Sequence, residues 1–354
     1  MIYAEAVEME QNISLAPYTT LGIGGPAQWF VQAHSEADVA AAVEFAQARS
    51  LPLFVLGGGS NLLVSDAGFS GCVVHIALRG VQQQMDGDDV LVTAAAGEEW
   101  DGLVAATVEQ NCAGLECLSG IPGTVGGTPV QNVGAYGQEV SAVIEQVRAF
   151  DRSHMRWVEF PNTECQFAYR SSRFNTAERE RYIVTSVVYR LRRSGAPLLA
   201  YKDVAQIFAG RKEPPTLAEV RAAVRMVRQR KGMLLTPGDP DCKSAGSFFK
   251  NPVIDAAHAE RLRQQYAAMP YFAAGAGCVK IPAAWLIEQA GFAKGAALGA
   301  AGISSKHTLA LINRGGATAA AMVALRDAIR ARVAERFGIT LEQEPVCVGA
   351  GLTA

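Results

Sequence analysis

The chain has 354 residues, of which 49% are hydrophobic and 19% are charged. This length exceeds that of one ordinary hydrophobic core, so two or three packed units are expected, and the composition excludes an intrinsically disordered chain. The 32 Lys and Arg residues nearly balance the 34 Asp and Glu residues, and the formal net charge of −2 excludes a global field that would attract nucleic acid or an anionic membrane.

The cysteines are odd in number and scattered, without the paired CxxC motifs that hold zinc or iron–sulfur clusters. We expect reduced, buried thiols at Cys72, Cys112, Cys117, Cys165, Cys242, Cys278 and Cys347. The first residues, MIYAEAVEMEQ, contain early acids and no basic stretch followed by an apolar run, and the sequence has no long uncharged apolar window. The sequence therefore predicts a cytosolic protein with no metal site.

The first predicted elements alternate between helix and strand. In SEADVAAAVEFAQARS (35–50), Ser35 and early acids precede apolar residues on one face, a pattern that predicts a helix. The apolar run LPLFVL (51–56) predicts a buried strand that leads into a glycine loop, and GCVVHIAL (71–78) predicts another strand. This order is typical of an α/β ligand-binding domain.

The middle of the chain continues the mixed pattern. EEWDGLVAATVEQ (98–110) predicts a helix, and a second glycine-rich block (114–140) separates it from the strand-like VIEQVRAF (143–150). YIVTSVVYRLRR (182–193) predicts a long strand. RKEPP (211–215) breaks the pattern and marks a predicted domain boundary.

A helix is predicted directly after this boundary, where Thr216 and Glu219 form a capping box. The periodicity turns three apolar residues inward, Val220, Val224 and Val227. It turns three basic residues outward, Arg221, Arg225 and Arg228. Basic residues on one helix face could contact nucleic acid, but without aromatic partners they are better interpreted as a solvated face.

The last predicted helix lies near the end of the chain. Leu325, Ile329, Val333 and Phe337 recur at helical spacing before Gly338, a residue that commonly ends a helix.

The loop after the first buried strand has the composition of a phosphate-binding loop. Three consecutive glycines, Gly57 to Gly59, precede Ser60 and Asn61, so backbone N–H groups can approach a phosphate oxygen. No GK[ST] follows, and no long helix opens as in the GxGxxG fingerprint. A tight β-turn is the alternative interpretation.

The second glycine-rich block favours a ligand. GIPGTVGG and NVGAYG place further glycines close together, and two such loops suggest a long ligand such as a dinucleotide. A flavin has a pyrophosphate, a ribityl chain and a flat ring system, so it needs close backbone approach along an extended path. A purely structural role for the glycines remains open.

Seven segments in order resemble one family. They are YTTLGIGGPA, LPLFVLGGGSNLLVSDAGFSG, GIPGTVGGTPVQNVGAYG, CQFAYRSSRF, SAGSFFKNP, KIPAAWLIEQAGF and ITLEQEPVCVG. Their order and separations are similar to those of UDP-N-acetylenolpyruvoylglucosamine reductases, and the resemblance covers nearly the whole chain.

This resemblance implies an α/β (α+β) protein with an FAD-binding fold of the vanillyl-alcohol-oxidase (PCMH) type. The implied domains are 1–72 and 73–212, which bind FAD non-covalently, and 213–340, which binds substrate, with a tail (341–354) that returns to the active-site region. The residues implied to bind FAD are Gly57, Gly58, Gly59, Ser60, Asn61, Leu62, Gly120, Ile121, Pro122, Gly123, Gly127, Thr128, Asn132, Gly134 and Ala135.

The family reaction passes a hydride from NADPH to FAD and then to the enolpyruvyl ether of a UDP-sugar. The resulting enolate needs a proton and a stabilising cation. By resemblance, Ser247 donates the proton and Arg170 polarises the substrate carboxylate, with Arg173 as the competing arginine. A structural cap is the alternative role for Ser247.

The resemblance makes Glu344 the acid that works beside the arginine. Here the chain departs from the family, because Pro345, Val346 and Cys347 follow instead of valine and a basic residue. Since proline restricts the residue before it, the orientation of Glu344 is an open point, and Glu342 is the alternative.

Substrate contacts are also carried over by resemblance, to Tyr136, Tyr201, Lys231, Lys250, Asn251 and His307. Tyr201 lies in a segment found in the longer form of the family, which this chain resembles. Two alternatives to the reductase remain: another flavin oxidase or dehydrogenase on the same fold, and a non-catalytic nucleotide-binding protein.

Overall fold

The computed structural model describes residues 7–275 and 277–352. The α-helices, in chain order, are α1 (Glu36–Ala48), α2 (Trp100–Glu109), α3 (Gly127–Val130), α4 (Lys202–Ala205), α5 (Leu217–Arg230), α6 (Ala256–Gln265), α7 (Ala283–Gln289) and α8 (Ala319–Phe337).

The strands alternate with these helices. The first are β1 (Glu10–Ser14), β2 (Pro26–Ala33), β3 (Leu53–Leu56), β4 (Leu62–Val64), β5 (Phe69–Ile76), β6 (Val81–Asp86), β7 (Asp89–Ala95), β8 (Cys112–Ala113), β9 (Gly134–Ala135), β10 (Gln138–Glu139), β11 (Ile144–Asp151), β12 (Arg156–Pro161) and β13 (Tyr182–Arg193). The remaining strands are β14 (Ser244–Ser247), β15 (Val253–Asp255), β16 (Phe272–Ala273), β17 (Cys278–Lys280), β18 (Ala297–Leu298), β19 (Ala301–Ile303), β20 (Ala310–Asn313) and β21 (Val346–Val348).

The chain forms two compact units, each built from several segments. The first unit comprises the described residues up to Ile13, together with Ala27–Gly59 and Ser70–Gln229. The second comprises Ser14–Pro26, Ser60–Phe69 and the described residues from Arg230 onward. The boundaries of the three domains proposed from the sequence stay a prediction.

The described part of the first unit contains two large sheets, the two-stranded sheet β10-β9 and a large hydrophobic core. One sheet has the strand order β1-β2-β5-β3, with β3 parallel to β5, and the other has the order β12-β11-β13-β7-β6, with β8 also on β13. The long strand β13 alternates buried and half-exposed residues because one of its faces packs on the core. Trp100 of α2 is fully buried in that core, and its indole N–H donates to the carbonyl of Leu118.

The second unit has its own core under helix α8. Its sheets have the orders β14-β20-β19-β18 and β15-β17-β16, and β21 pairs in parallel with β4. The apolar face predicted from Leu325, Ile329, Val333 and Phe337 is buried there. Gly338 ends α8 in the left-handed conformation, at φ 65°, as predicted.

Several local predictions are confirmed. Helix α1 begins after Ser35 with a capping box to Asp38. Before helix α5, Thr216 Oγ1 accepts from the Glu219 N–H at 3.2 Å, and the Glu219 carboxylate accepts from the Thr216 N–H at 2.8 Å. At the N-termini of both helices, these side chains accept hydrogen bonds from backbone N–H groups that have no partner within the helix.

The solvated arginine face predicted for α5 is wrong. Arg228 is only 8% exposed and donates from Nε to the carbonyl of Gly120 at 3.0 Å. Arg221 and Arg225 both bond the carboxylate of Asp101 on helix α2. Periodicity locates the apolar stripe, but a long basic side chain beside it can still reach a distant partner and become buried.

The seven cysteines are free thiols, as predicted. The prediction of burial holds for Cys72, Cys112, Cys117 and Cys165, whereas the other three are half-buried. Among residues 7–275 and 277–352, no helix is long and apolar enough to cross a membrane, and no group of His, Cys, Asp and Glu is arranged to hold a metal ion.

Candidate flavin and catalytic site

The two glycine-rich loops meet in the first unit. A Cβ atom built on Gly58 would lie 2.6 Å from the Cα atom of Gly123 and 2.9 Å from its carbonyl carbon. A Cβ atom on Gly57 would lie 2.9 Å from Thr124 Oγ1. Because any larger residue would separate the loops, the glycines at 57 and 58 are required for this contact. The loops therefore form one backbone-lined surface.

This surface fits a ligand that approaches backbone groups closely, as the expected flavin dinucleotide would. Within the described part of the chain, Thr124 Oγ1 is buried and has no hydrogen-bond partner. Buried polar atoms are nearly always paired, so an orphaned hydroxyl beside two glycine loops indicates a position for a ligand atom. A Cβ at Gly127 would meet no described atom within 4 Å, so the chain also leaves open space there.

Two of the residues implied to bind FAD use their side chains inside the fold. The hydroxyl of Thr128 donates to the carbonyl of Val125 at 2.8 Å and lies 2.7 Å from the hydroxyl of Tyr189. The amide of Asn132 donates to Glu139 and to the carbonyl of Ala168, both at 3.0 Å. The side chains of Thr128 and Asn132 are therefore already hydrogen-bonded within the fold, and their assignment to FAD stays a prediction.

Arg170 occupies a strained turn in the first unit. Ala168 and Ser171 exchange two backbone hydrogen bonds, which leaves Arg170 at φ 54° in the left-handed region. A bulky residue adopts this conformation at a cost of roughly 1–3 kcal/mol, and such strain concentrates at functional sites. Its Nη2 donates to the carbonyl of Gly134 at 2.8 Å, which fixes the guanidinium beside strand β9.

The side chain of Arg173, the competing arginine, contacts other residues of the first unit. Its guanidinium lies 2.5 Å from the Glu178 carboxylate, and its carbon atom Cζ lies 4.1 Å from the centre of the Phe160 ring. These contacts use both the charge and the flat face of Arg173. The assignment of Arg170 rather than Arg173 to the substrate carboxylate stays a prediction.

Ser247 lies at the end of strand β14 in the second unit. Strand β14 pairs with β20, and the register shifts between Ser244 and Ser247. Such a bulge redirects side chains and is common beside active sites. The next residues, Phe248 and Phe249, are fully buried, so they anchor the backbone that presents the half-exposed Ser247.

The C-terminal tail runs beside this strand. The Glu344 N–H donates to the carbonyl of Phe248 at 2.9 Å, one residue after Ser247, and Gln343 pairs with Phe249. On the other side, Asn61 Nδ2 donates to the carbonyl of Glu344 at 3.2 Å. The backbone of Glu344 is thus hydrogen-bonded on two sides, and the catalytic role of its carboxylate stays a prediction.

Glu342, the alternative carboxylate, has a different partner. Its Oε1 lies 2.5 Å from Lys250 Nζ, and the Lys250 N–H donates to its carbonyl at 2.9 Å. Through these contacts Lys250, one of the residues assigned to substrate, packs against the C-terminal tail. Asn251 caps helix α7, since its Oδ1 accepts from the Ala283 N–H at 2.9 Å.

Two tyrosines assigned to substrate are neighbours in the first unit. Tyr136 lies in the turn between β9 and β10 at φ 52°, and its ring meets that of Tyr201 edge-on with centroids 5.2 Å apart. Tyr201 is 40% exposed and precedes helix α4. The pair offers two hydroxyl-bearing rings at one place on the surface of this unit.

His307 is held as a neutral imidazole in the second unit. Burial, reinforced by the positive charges of Lys231 and Lys294, lowers the pKa of His307 to about 4. Its Nδ1 accepts from the Leu309 N–H at 3.1 Å, so the ring proton is on Nε2. Lys231 and His307, both assigned to substrate, are therefore close enough to interact electrostatically.

This pKa predicts an acid-sensitive fold. The folded-state pKa of His307 lies below the ordinary value of about 6.5, so the unfolded chain takes up the proton first as the pH falls. The contribution of neutral His307 to the free energy of unfolding is present above about pH 6.5 and is lost as the pH falls toward 4. Between pH 7 and pH 4.5 it amounts to about 2–3 kcal/mol of unfolding free energy.

Denaturant unfolding of the wild type and of His307→Gln at both pH values measures this contribution. The variant is expected to lose less stability on acidification than the wild type. An identical loss in the two proteins would contradict the assignment.

Sequence reasoning missed two residues at the loops. Asp101 accepts a hydrogen bond from the Gly120 N–H at 2.6 Å, and Thr124 carries the orphaned hydroxyl. Asp101 gave no signal because an acid in the first turn of a helix is ordinary. Thr124 lies in the segment GIPGTVGG, and a signal was present there, because Thr124 is the one polar residue of that segment.

Comparison with known proteins identifies the family. The family model described as FAD binding domain matches residues 27–153, and the model described as UDP-N-acetylenolpyruvoylglucosamine reductase, C-terminal domain, matches residues 239–348. The fold and the paired glycine loops, with these matches, define an FAD-binding oxidoreductase of mixed α/β architecture, as predicted.

Full-length relatives narrow this class. The UDP-N-acetylenolpyruvoylglucosamine reductase of Thermobifida fusca is 46% identical over 352 residues, which cover 97% of this chain and 98% of that protein. The one from Streptomyces coelicolor is 48% identical over 361 residues, covering 98% and 92%. The chain belongs to the UDP-N-acetylenolpyruvoylglucosamine reductase family.

A solved structure agrees with this assignment. The crystal structure of UDP-N-acetylenolpyruvylglucosamine reductase from Thermus caldophilus superimposes with a TM-score of 0.66 at 27% sequence identity. The match covers 97% of this chain and 99% of the other. The resemblance inferred from the seven sequence segments is confirmed.

Proposed function

We propose that this enzyme reduces the enolpyruvyl ether of UDP-N-acetylglucosamine enolpyruvate to UDP-N-acetylmuramate, with non-covalent FAD and with NADPH as the hydride donor. The contact between the two glycine loops at Gly58 and Gly123, beside the orphaned Thr124 hydroxyl, is the observation that carries this proposal. The reaction would belong to peptidoglycan precursor synthesis, and its cytosolic location stays a prediction.

The flavin would be held by backbone groups of the two loops. Residues Gly57–Gly59 and Gly120–Gly123 leave room for close approach, and Thr124 Oγ1 is available to a polar atom of the cofactor. When bound, FAD supplies hydride transfer between the reduced nicotinamide and the methylene carbon of the substrate.

Arg170 would stabilise the charge that develops on the substrate. Hydride addition to the methylene carbon leaves an enolate that extends into the carboxylate, and an arginine fork can bind a carboxylate through two hydrogen bonds. The turn at 168–171 and the carbonyl of Gly134 hold this guanidinium before substrate arrives. Such preorganisation avoids reorganisation at the moment of reaction.

Ser247 would deliver the proton to the carbon next to the carboxylate. A serine hydroxyl is a weak acid, so it can donate only to a strong base such as the enolate, and its oxygen then regains a proton from solvent. Glu344, fixed beside Phe248, would act on the same intermediate as the partner of the arginine. Tyr136, Tyr201, Lys231, Lys250, Asn251 and His307 would bind the rest of the sugar nucleotide.

Turnover with product analysis tests the proposal. NADPH oxidation should require the enolpyruvyl sugar nucleotide, and mass spectrometry should find a product with two more hydrogen atoms than the substrate. NADPH oxidation at the same rate without the sugar nucleotide, with oxygen as the acceptor, would contradict the proposal and favour a flavin oxidase.

A further inference from the structure

Gly120, at the start of the second glycine loop, is hydrogen-bonded through both its N–H and its carbonyl, which belong to the two peptide groups on either side of its Cα atom. Its N–H donates to Asp101 Oδ1 at 2.6 Å, and its carbonyl accepts from Arg228 Nε at 3.0 Å. Gly120 itself has φ 72°, in the left-handed region that glycine enters freely. A peptide group beside a glycine turns over easily, and each of the two peptide groups that flank Gly120 carries one of these hydrogen bonds, so the two bonds together select one orientation for each group.

The first turn of helix α2 holds the remainder of this loop. The backbone N–H of Trp100 donates to the carbonyl of Gly123 at 3.1 Å, and its indole N–H donates to the carbonyl of Leu118 at 3.1 Å. Together with Asp101, the turn contacts the loop at 118, 120 and 123. Gly123 is the residue that lies against Gly58, so the position of this turn determines the contact between the two glycine loops.

Helix α5 fixes the Asp101 carboxylate. Arg221 approaches Oδ1 at 2.5 Å and Oδ2 at 3.1 Å, and Arg225 also bonds Oδ2. Burial raises the pKa of Asp101, but the hydrogen bonds from Arg221 and from the Gly120 N–H outweigh it, so the pKa lies below its ordinary value. The carboxylate therefore stays ionised, and its bond to Gly120 is charge-assisted.

Arg228 connects the loop to a tyrosine. Its guanidinium is buried and hydrogen-bonds the side chain of Tyr136 in addition to the Gly120 carbonyl. The ring of Tyr136 in turn contacts that of Tyr201. One guanidinium thus touches both the loop assigned to FAD and a tyrosine assigned to the sugar nucleotide.

We propose that Asp101 and Arg228 are positioning residues that hold the two peptide groups on either side of Gly120 in the orientation required for FAD, and that Arg228 also fixes Tyr136 for the sugar nucleotide. This inference rests on the proposed function for the identity of the two ligands. Preorganising the loop lowers the conformational cost of binding, so loosening it should weaken FAD affinity. The basic residues of α5, which resemble a solvated face in the sequence, would be part of the cofactor site.

FAD titration of the full-length apoprotein tests the role of Asp101. Asp101→Asn removes the charge that Arg221 and Arg225 share, and we expect the FAD dissociation constant to rise about tenfold or more, the effect of losing a charge-assisted bond. The matched control is Glu36→Gln. Glu36 also bonds an arginine through both oxygens, Arg148 at 2.8 Å and 3.1 Å, in the same unit, and its described partners Arg148 and Thr185 lie outside the two glycine loops.

Arg228 is tested by two variants. Arg228→Met should weaken FAD binding about tenfold or more, and it should also raise the KM for the sugar nucleotide. Arg228→Lys keeps the positive charge but lacks the several N–H donors of the planar guanidinium. It should therefore restore only part of the FAD affinity and part of the KM for the sugar nucleotide. Tyr136→Phe removes only the hydroxyl and should raise the KM while leaving the FAD dissociation constant unchanged.

The outcomes separate this inference from the proposed function. Weaker FAD binding in the Asp101 and Arg228 variants with normal binding in Glu36→Gln supports it. The inference is overturned if FAD binding weakens equally in Asp101→Asn, Arg228→Met and Glu36→Gln. It is also overturned if folded Asp101→Asn binds FAD with unchanged affinity. If Arg228→Met does not fold, Arg221→Lys replaces it, and unchanged FAD affinity there overturns the inference. A wild type that binds FAD but does not reduce the sugar nucleotide would contradict only the proposed function.

Discussion

Replacing Ser247 by alanine is expected to slow reduction of the sugar nucleotide by about 10²- to 10⁴-fold, the usual contribution of a positioned proton donor. The reduction of bound FAD by NADPH should be nearly unchanged, because that step uses no proton from this serine. The substitution removes one half-exposed hydroxyl, and the strand stays anchored by Phe248 and Phe249. We therefore expect a folded, yellow protein with one impaired half-reaction.

Rapid mixing under anaerobic conditions separates the two half-reactions. Absorbance loss on mixing with NADPH measures the first, and absorbance recovery on adding the enolpyruvyl sugar nucleotide measures the second. Ser70→Ala, an exposed serine on strand β5, is the control and should behave as the wild type in both. Equal slowing of both half-reactions in Ser247→Ala would assign the serine to the fold or to binding rather than to proton donation.

Replacing Gly58 by alanine is expected to weaken FAD binding by about tenfold to 100-fold. The added Cβ would lie 2.6 Å from the Gly123 Cα atom, and backbone atoms on both sides cannot move away as a flexible side chain could. Forcing an extra carbon into such a contact costs about 1–3 kcal/mol. Because the same displacement separates the two loops, we expect this cost to appear in the FAD dissociation constant.

Gly87→Ala provides the matched control. Gly87 lies in the turn between β6 and β7 at φ 62°, and a Cβ there would meet no described atom within 4 Å. Its substitution strains the backbone but does not touch the glycine loops, so it should lower the melting temperature without changing FAD affinity. Normal FAD affinity in Gly58→Ala would contradict the assignment of the loop contact to the cofactor site.

Local features of this fold were predictable because local chemistry determines them. The capping boxes at Ser35 and Thr216 and the stop at Gly338 depend on residues within four positions. The glycine loops were predictable for the same reason, since consecutive glycines after a strand have few other uses. Family resemblance then supplied roles for Ser247, Arg170 and Glu344 that no periodicity could have supplied.

The remaining features depend on pairs that are distant in the chain. Asp101 meets Arg221 across 120 positions, and the Gly120 carbonyl meets Arg228 across 108. Nothing near either residue marks such a partner, and helical periodicity alone placed these arginines in solvent. The two hydrogen bonds that hold the backbone of Glu344, to Phe248 and from Asn61, are equally non-local, and the orientation of its carboxylate stays a prediction.

In the proposed reaction, a flavin held by the two glycine loops reduces the enolpyruvyl sugar nucleotide. The most direct test is the anaerobic absorbance spectrum of the purified protein, recorded after NADPH and again after the sugar nucleotide. We expect a flavin spectrum that NADPH bleaches and that one equivalent of sugar nucleotide restores without oxygen. A bleached spectrum that returns only when oxygen is admitted would contradict it.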